Sequence, residues 1–402
     1  MKACFIGLGY IGLPTAIIAA NKGIEIVGVD TKQDVVSKIN SGKAHIAEAG
    51  LQDLFENVVR DKKLVARETP VSADAFVIFV PTPLNARKVA DLSYVEAATR
   101  SVIPLLEPGN LFTIESTVPL GTTEHIADMI YRERPELRDS LYIAYCPERM
   151  IPGKAAYELT NNNRVIGGIN DASALRAAEF YSLFVGGEIH TTDVRTAEMC
   201  KLVENSFRDV EIAFANELSI ICKNAGIDVN TLINLANLHP RVNILSPGCG
   251  VGGHCIAVDP YFLISKFPEY SSLIQQARKV NSDKTQWCIT QIKSSIKDFE
   301  LKYKRYPKVA MMGLSFKPDI DDLRESPAIN IVSEIVKLSN NTEIMVSEPN
   351  LTQYPLLNLT DYKESFHAAD IVVFLVAHSQ FKTLPLVTDK VILDFCGVYH
   401  KP

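Results

Sequence analysis

The chain has 402 residues, of which 47% are hydrophobic and 22% charged, and its formal net charge is −6. This length exceeds that of one ordinary domain and predicts two or three domains, each with enough apolar residues for its own core. The mixed, slightly acidic charge excludes the basic surface of a nucleic-acid-binding protein. The eight cysteines are scattered and contain no Cys-x-x-Cys pair, which argues against a zinc or dithiol motif and favours the reducing cytoplasm. We therefore expect no metal site.

The first twenty residues could be mistaken for a signal peptide. An apolar stretch follows Lys2, but Gly7, Gly9, Gly12 and Pro14 interrupt it. No other uninterrupted apolar run reaches the length of a transmembrane helix, so we predict no membrane insertion.

The N-terminal sequence predicts a dinucleotide-binding fold. Lys2–Ile6 has the pattern of a short buried strand, Gly7-Leu8-Gly9-Tyr10-Ile11-Gly12 matches G-x-G-x-x-G, a helix follows, and a second strand ends in Asp30. In this motif the first glycine allows the tight turn, the second lets the pyrophosphate approach, and the third permits close packing of helix on strand. Asp30 can accept hydrogen bonds from ribose hydroxyls, and its charge disfavours a 2′-phosphate, so we predict NAD rather than NADP. The glycine motif alone is weak evidence, but the whole strand–turn–helix–strand–acid context is specific.

Three more apolar segments continue the alternation of strands and helices. They run from Ala75 to Val80, from Asn110 to Ile114 and from Leu141 to Tyr145. Beyond the carboxyl end of each predicted strand, where doubly wound sheets bind ligands, lies a polar residue: Thr82, Thr117 and Glu148. Each of these residues alone is better explained as a turn residue or a cap, but their coincidence favours a ligand site.

The segment from about Thr196 to Ala225 contains neither Gly nor Pro and is predicted to form one long helix. Apolar residues at helical spacing give it an apolar stripe: Met199, Leu202, Val203, Val210, Phe214 and Leu218. Lys201, Asn205 and Arg208, spaced i, i+4 and i+7, share another face. That face is either a solvated polar surface or the floor of a substrate site between two domains.

The stretch from Gly250 to Pro260 suggests covalent chemistry. Cys255 follows a run of glycines, which favour close backbone approach to a ligand, and Asp259 follows the cysteine at i+4. If the chain turns helical just after the glycines, the helix N-terminus stabilises a thiolate, which can attack an aldehyde carbon. A buried cysteine beside a glycine turn is the alternative interpretation.

The last hundred residues predict a second, smaller α/β unit. Its expected strands are Lys308–Met312, Glu343–Ser347, Ile371–Val376 and Val391–Phe395, with a capped helix from about Ser326 to Leu338. The predicted fold class is therefore α/β, with two Rossmann-like doubly wound domains joined by a central helical region that contains the long helix. We expect a cleft between the two halves.

The chain resembles the UDP-glucose/GDP-mannose dehydrogenase family over nearly its whole length. The resemblance rests on Gly-Leu-Gly-Tyr-Ile-Gly-Leu-Pro at 7–14, Val-Pro-Thr-Pro at 80–83, Glu-Ser-Thr-Val-Pro-Leu-Gly at 115–121, Cys-Pro-Glu-Arg at 146–149, the helix around 201–217, Gly-Gly-His-Cys at 252–255 and Phe-Lys-Pro-Asp at 316–319. The segments 204–210, 239–245 and 255–260 are most similar to members that oxidise UDP-N-acetyl-D-mannosamine. At the position of Val258, UDP-glucose members typically have a lysine. At the position of Ala257, UDP-N-acetylglucosamine members usually have a proline.

The resemblance implies three domains and a four-electron reaction. The domains would be a NAD-binding Rossmann domain over 1–195, a central helical domain for dimerisation and catalysis over 196–300, and a UDP-sugar-binding α/β domain over 301–402. The reaction would oxidise the sugar C6 alcohol to a carboxylate with two NAD⁺, through a thiohemiacetal and a thioester on Cys255, for surface polysaccharide biosynthesis. A homodimer without a nucleic-acid partner is also implied.

By the same resemblance, the functional residues fall into three sets. The catalytic set is Cys255, Lys201, Asn205, Asp259, Glu148 and Thr117. The cofactor-binding set is Gly7, Gly9, Tyr10, Ile11, Gly12, Asp30, Thr82, Thr117 and Arg324. The substrate-binding set is Arg149, Met150, Lys201, Asn205, Arg208, His239, Arg241, Gly252, Phe316 and Lys317.

Rival functions stay open at this point. UDP-N-acetyl-D-glucosamine and UDP-glucose are alternative substrates. A two-electron β-hydroxyacid-type dehydrogenase shares the Rossmann domain and a lysine on the central helix, but it leaves Cys255 unexplained. A non-catalytic NAD-sensing protein would not need Lys201, Asn205, Cys255 and Asp259 together.

Overall fold

The computed structural model describes residues 1–44, 46, 50–150, 154–338, 341–387 and 389–398. The chain divides into two compact units: Met1–Glu204 with Tyr261–Lys266, and Asn205–Pro260 with the residues from Phe267 onward. The boundary between Glu204 and Asn205 falls inside one continuous helix. The division into three domains at 195 and 300 stays a prediction.

The first unit contains an eight-stranded sheet. Its strands are β1 (Lys2–Ile6), β2 (Glu25–Val29), β3 (Leu64–Arg67), β4 (Ala75–Ile78), β5 (Leu111–Ile114), β6 (Tyr142–Tyr145), β7 (Arg164–Gly168) and β8 (Ile189–Asp193). Their order is β3-β2-β1-β4-β5-β6-β7-β8, parallel throughout except for the antiparallel pair β6 and β7. The first six strands in this order are those of the Rossmann fold, which confirms the predicted fold class.

Helices connect these strands. They are α1 (Gly12–Asn21), α2 (Gln33–Asn40), α3 (Gln52–Arg60), α4 (Ser93–Val102), α5 (Thr122–Glu133), α6 (Ala155–Asn161) and α7 (Asp171–Ser182), followed by the long helix α8 (Val194–Ala225). The central strands are buried on both faces, since Phe5 and Val77 pack into one apolar cluster and Cys4 and Phe76 into another. In a sheet that is covered on both faces, the strands are apolar at every position rather than at alternate positions. This continuous pattern is why β1, β4 and β5 could be predicted from the sequence.

The second unit contains a four-stranded parallel sheet in the order β10-β9-β11-β12. Its strands are β9 (Lys308–Met312), β10 (Glu343–Ser347), β11 (Ile371–Phe374) and β12 (Val391–Asp394). The remaining helices are α9 (Val229–Ala236), α10 (Pro260–Lys266), α11 (Ser272–Tyr303), α12 (Pro327–Leu338) and α13 (Tyr362–Ala368). Every strand predicted from the sequence is present within one or two residues, whereas β3, β7, β8 and the 32-residue helix α11 were not predicted.

The two sheets repeat one local arrangement. A glycine with positive φ follows β1 and β9: Gly7 at +104° and Gly313 at +100°. Each glycine donates its N–H, at 2.8 Å, to the last carbonyl of the adjacent strand, β2 or β10. A carboxylate comes next in the chain after that strand, Asp30 in the first unit and Glu348 in the second. The second unit therefore reproduces the start of a Rossmann fold.

Helix α8 buries a different face from the predicted apolar stripe. Of that stripe, Leu202 is buried, but Val203 and Phe214 are exposed. The buried face is instead rich in small and polar residues, among them Ser206, Asp209, Ala213, Asn216 and Ser219. The predicted helix is present, but its apolar stripe is not the face that this chain buries.

A polar seam with α11 explains the buried face of α8. Arg278 donates to Asp209 Oδ1 at 2.6 Å, and Asn281 donates to the same oxygen at 2.8 Å. Asn216 donates to Asn281 at 2.9 Å and accepts from the backbone N–H of Gly248 at 2.8 Å. Buried polar groups are tolerated when they find such partners. The seam thus anchors the segment that precedes the cysteine stretch.

None of the helices in the described ranges is long and apolar enough to span a membrane.

Candidate active site

The glycines of the first loop have separate physical roles. A Cβ on Gly7 would lie 2.7 Å from the Phe79 carbonyl oxygen, and one on Gly12 would lie 1.9 Å from the Gly7 carbonyl oxygen. Both positions therefore exclude a side chain, because the turn and the helix–strand packing are too close. A Cβ on Gly9 would have no heavy atom within 4 Å. Gly9 thus faces open space, as expected where a pyrophosphate comes close to backbone.

Asp30 lies beside this loop, as the sequence predicts. Its Oδ2 accepts from the backbone N–H of Leu8 at 3.2 Å, and its Oδ1 accepts from that of Lys32 at 3.0 Å. An ionised carboxylate has about four acceptor sites, so capacity remains for the ribose hydroxyls. The loop and Asp30 therefore fit NAD. Next to them, Tyr10 is exposed and Ile11 is half-buried.

The polar residues that follow β4, β5 and β6 lie on adjacent strands, as predicted. Thr82 Oγ1 donates to the Thr117 carbonyl at 2.6 Å, and Ser116 Oγ donates to the Val80 carbonyl at 2.6 Å. These two bonds tie the loop after β4 to the loop after β5. The pair Thr82 and Thr117 is thereby fixed at the carboxyl edge of the sheet, where the fold binds ligands.

Glu148, in the loop after β6, is buried and held at both oxygens. Its Oε1 accepts from the backbone N–H groups of Arg149 and Met150, each at 2.7 Å. Its Oε2 lies 2.6 Å from Nη1 of Arg164, a residue that the sequence did not single out. Arg149 itself pairs with Glu204 of α8, with Nε donating at 3.1 Å. Glu148 therefore has a fixed orientation.

A buried carboxylate, Glu198, lies one turn before Lys201 on α8. The buried Glu198 accepts from the backbone N–H of Gly121 at 2.5 Å, and from the N–H and hydroxyl of Thr123 at 2.8 and 2.7 Å. Burial raises the pKa of Glu198, against the effect of these donors. Glu198 thus joins α8 to the start of α5 and to the loop that carries Thr117. Glu198, like Arg164, was not predicted as a functional residue from the sequence.

In the second unit, Cys255 is exposed and lies on a turn. Its carbonyl accepts from the N–H of Val258 at 3.0 Å and of Asp259 at 2.8 Å, and the regular helix α10 begins only at Pro260. The predicted helix directly after the glycines is therefore reduced to a helical turn. The buried Asp259 is fixed by Asn205 of α8, whose Nδ2 donates to Oδ2 at 2.5 Å.

The glycines before Cys255 serve protein packing. A Cβ on Gly252 would lie 2.7 Å from the Glu325 carbonyl oxygen, and one on Gly253 would lie 2.9 Å from the Phe316 ring. The N–H of Gly253 donates to the carbonyl of Arg324 at 3.0 Å. The close packing of the loop that carries Phe316 explains why these two positions need glycine, and the expected substrate contact of Gly252 stays a prediction.

The other residues predicted to bind substrate stand on separate exposed positions. They are Arg208, His239, Arg241 and Lys317. The loop with His239 and Arg241 is closed by Asn237, which donates to the Ile244 carbonyl at 2.9 Å and accepts from its N–H at 2.7 Å. The structure thus joins Thr82 with Thr117, Asn205 with Asp259 and Gly252 with Phe316.

A Rossmann-type glycine loop with its acid, and an exposed cysteine beside a fixed carboxylate, define the class of NAD-dependent oxidoreductases that can act through a thiol. Three family models match the chain: the NAD binding domain of the UDP-glucose/GDP-mannose dehydrogenase family over 1–185, its central domain over 195–283 and its UDP binding domain over 310–401. The chain belongs to this family. It is therefore an NAD-dependent nucleotide-sugar dehydrogenase, and the two-electron and non-catalytic alternatives are set aside.

Individual relatives cover nearly the whole chain. A UDP-N-acetyl-D-mannosamine dehydrogenase of Escherichia coli (strain K12) is 48% identical, covering 98% of this chain and 98% of the relative. An NDP-N-acetyl-D-galactosaminuronic acid dehydrogenase of Ralstonia nicotianae is 46% identical, covering 98% and 95%. The solved structure of a UDP-D-ManNAc dehydrogenase from Pyrococcus horikoshii is 37% identical with a TM-score of 0.89, covering 100% of this chain and 97% of that one.

Proposed function

We propose that the protein oxidises the C6 alcohol of UDP-N-acetyl-D-mannosamine to the carboxylate, with two NAD⁺ per sugar, for surface polysaccharide biosynthesis. The exposed Cys255, with Asp259 fixed beside it by Asn205, is the observation that carries the four-electron chemistry. The near-full-length similarity to the Escherichia coli enzyme supports the choice of sugar. We also propose a cytoplasmic location, which an NAD cofactor and a nucleotide-sugar substrate support.

Cys255 keeps the aldehyde on the enzyme. Bound NAD⁺ supplies the hydride acceptor for both oxidations. After the first oxidation, Cys255 Sγ bonds to the aldehyde carbon as a thiohemiacetal, and after the second the adduct is a thioester. Water then adds to the thioester carbon, and the carbon–sulfur bond breaks to return the thiolate and the sugar acid. Hydrolysis of the thioester makes the sequence effectively irreversible.

Lys201 and Asn205, four residues apart on α8, supply a cation and an amide donor. Each tetrahedral species develops negative charge on oxygen, and such donors stabilise it. Lys201 also serves in proton transfer. Asp259 and Glu148, with Thr117, orient or activate the water of hydrolysis.

The second unit supplies the nucleotide site. The family's UDP binding domain matches 310–401, which includes the loop with Phe316 and Lys317. Lys317, Arg208, His239 and Arg241 offer donors for the diphosphate and the hydroxyls. Arg149 and Met150 follow Glu148 and complete the proposed substrate contacts from the first unit.

A panel of UDP-sugars tests the substrate. We expect two NADH per sugar and the highest kcat/KM for UDP-N-acetyl-D-mannosamine. A site with polar groups committed to the N-acetyl arm leaves them unpaired with UDP-glucose, which can lower kcat/KM by roughly 10⁴-fold. Equal turnover of UDP-glucose would contradict the assignment. Preference for the gluco epimer would keep the mechanism and change the substrate. The Ralstonia nicotianae relative favours adding UDP-N-acetyl-D-galactosamine to the panel.

We propose that the protein is a homodimer through α8. Four apolar side chains on this helix are exposed in the single chain: Val203 at 49%, Phe207 at 62%, Phe214 at 56% and Ile221 at 56%. Phe207, Phe214 and Ile221 are spaced by seven residues, as in helices that pack side by side. A contiguous apolar stripe of this kind marks an interface, and a second copy can cover it with the same stripe.

A further inference from the structure

We infer that Arg164 positions Glu148 for hydrolysis of the Cys255 thioester, and that Glu115 and Tyr181 hold Arg164 in place. The inference rests on the proposed function, in which Glu148 helps to activate water. Arg164 lies at the start of β7, which pairs antiparallel with β6, the strand before Glu148. No spacing in the sequence indicates this pairing.

The Arg164 guanidinium lies between two carboxylates. The residue is 2% exposed, although arginine is rarely buried without a partner. Its Nη1 is 2.6 Å from Glu148 Oε2 and 3.9 Å from Glu115 Oε2. Both glutamates are buried as well. The cluster therefore contains two acidic groups and one permanent cation away from solvent.

Arg164 contacts the face of Glu148 that the backbone leaves open. Glu148 Oε1 accepts two backbone N–H groups, from Arg149 and Met150, so the peptide chain fixes that oxygen. The other oxygen, Oε2, lies 2.6 Å from Arg164 Nη1. Arg164 therefore completes the fixation of the carboxylate, because one oxygen is bound by the peptide chain and the other is paired with the guanidinium.

Glu115 is held from the opposite side. Its Oε1 accepts from the Tyr181 hydroxyl at 2.6 Å, and that hydroxyl lies 3.3 Å from Thr113 Oγ1. Burial raises the pKa of Glu115 to about 8; the Arg164 cation opposes this shift and the charge of Glu148 adds to it. The Arg164 cation lies 2.6 Å from Glu148 and 3.9 Å from Glu115, so its closer partner is Glu148.

Hydrolysis of the thioester consumes one water molecule and returns the Cys255 thiolate. Water adds to the thioester carbonyl carbon while one of its protons passes to Glu148. The tetrahedral species then expels Cys255 as a thiolate, and the sugar carboxylate leaves. Losing a positioned base costs typically 10²–10⁴-fold in this step and leaves the two preceding oxidations intact. A positioning role for Arg164 therefore predicts that the thioester accumulates.

The test compares Arg164→Met and Arg164→Lys with the wild-type enzyme. After mixing with UDP-N-acetyl-D-mannosamine and NAD⁺, we expect Arg164→Met to release up to two NADH per active site in a burst. Its steady rate should then fall about 100-fold. Intact-mass spectrometry should show a sugar adduct on the protein, absent when Cys255→Ala is added. Arg164→Lys, which keeps the charge, should recover part of the steady rate.

Arg134→Met is the matched control, because Arg134 also pairs with a glutamate of the first unit, Glu136 at 2.5 Å. It should show no adduct. Thermal melting shows whether each variant is folded. If Arg164→Met does not fold, the test of the positioning role rests on Arg164→Lys alone. A variant that folds but slows burst and steady rate equally, without an adduct, would overturn the inference, as would an unchanged steady rate. Wild-type enzyme that releases no NADH from any UDP-sugar would instead refute the proposed function.

Discussion

At the scale of single residues, exposure separates the proposed nucleophile from the groups that serve it. Cys255 is exposed, whereas Glu148 and Asp259 are buried and held by fixed donors. An exposed thiol can reach a large substrate, while a buried carboxylate keeps one orientation. This difference allows each residue to be tested separately.

Replacing Cys255 with serine should abolish net acid formation. A serine hydroxyl is a far poorer nucleophile than a thiolate at neutral pH, so we expect formation of the sugar acid to fall by on the order of 10³-fold or more. The measurement is the uronate product by chromatography, together with NADH released per sugar. Cys396→Ser, at a half-buried cysteine, is the control and should resemble wild type. Wild-type NADH production by Cys255→Ser would remove the cysteine from the mechanism.

The protonation of Glu115 should appear in the pH dependence of stability. Its pKa is about 8 in the folded protein against an ordinary value of 4.5, so between these values the folded state keeps a proton that the unfolded state has lost. Stability from this group therefore falls as pH rises through that window, by at most about 1.4 kcal/mol per pH unit. The groups that face Glu115 are Glu148, Arg164, Tyr181 and Cys146.

The Tm of Glu115→Gln, relative to wild type, should therefore rise between pH 5.5 and pH 8.5, because glutamine cannot ionise. Differential scanning fluorimetry of both proteins in matched buffers measures this difference. A difference that stays constant across the range, or falls, would contradict a proton held on Glu115.

The sequence was informative about residues whose role is local. Gly7, Gly9, Gly12 and Asp30 act within one strand–turn–helix–strand unit, so their spacing revealed them. Arg164 was not predicted, because its partners come from other strands and no short motif records their approach. The same is true of two other buried carboxylates, Glu198 and Asp209, whose partners also lie on other elements.

At the scale of elements, α8 was predicted in extent but not in orientation. On its buried polar face, Asp209 Oδ1 accepts from Arg278 and Asn281 of α11, and α11 itself was not predicted. Periodicity identifies an apolar stripe, but it does not say whether the stripe meets the same chain or another copy. Burial, which raises the pKa of Asp209, shows how fully the seam is withdrawn from water.

Phe214→Asp should convert the proposed dimer into monomers. A charge at the centre of an apolar interface removes a contact that contributes about 2 kcal/mol or more, so the dimer Kd should rise at least about 30-fold. Analytical ultracentrifugation across a concentration series measures the change. Leu175→Asp is the control, since Leu175 is similarly exposed but belongs to another helix, α7. Equal masses for Phe214→Asp and wild type at all concentrations would contradict dimerisation through this helix.

At the scale of the whole molecule, the loops that follow β1 and β9 share one backbone arrangement but differ in the carboxylate beside them. Asp30 is half-buried and can still accept from a ligand, whereas Glu348 is buried. Glu348 Oε2 accepts from the N–H groups of Leu314 and Ser315, at 2.7 and 3.1 Å, and lies 3.0 Å from His378 Nε2. The acid that is predicted to contact a ribose in the first unit, Asp30, therefore has a counterpart in the second unit, Glu348, that is committed to its own loop.

Hydrogen exchange should distinguish the two loops. We expect NAD⁺ to slow amide exchange at residues 7–12 and leave residues 313–319 unchanged, because Glu348 is already satisfied. UDP should instead slow exchange at residues 313–319 and leave residues 7–12 unchanged, since the family's UDP binding domain covers the second loop. Peptide-level exchange with each ligand alone measures this. Protection of 313–319 by NAD⁺ alone would show that the second loop still binds a dinucleotide.

The distribution of thiols has a practical consequence. All eight cysteines lie in the part of the chain that the structure describes; Cys255 is exposed, two are half-buried and five are buried. Burial also raises the pKa of the Cys4 and Cys146 thiols, which disfavours their reactive thiolates. A stoichiometric alkylating reagent should therefore modify Cys255 first. The amount of reagent consumed should then equal the number of competent enzyme molecules in a preparation. The wild-type protein can therefore be titrated at its proposed active site without any substitution.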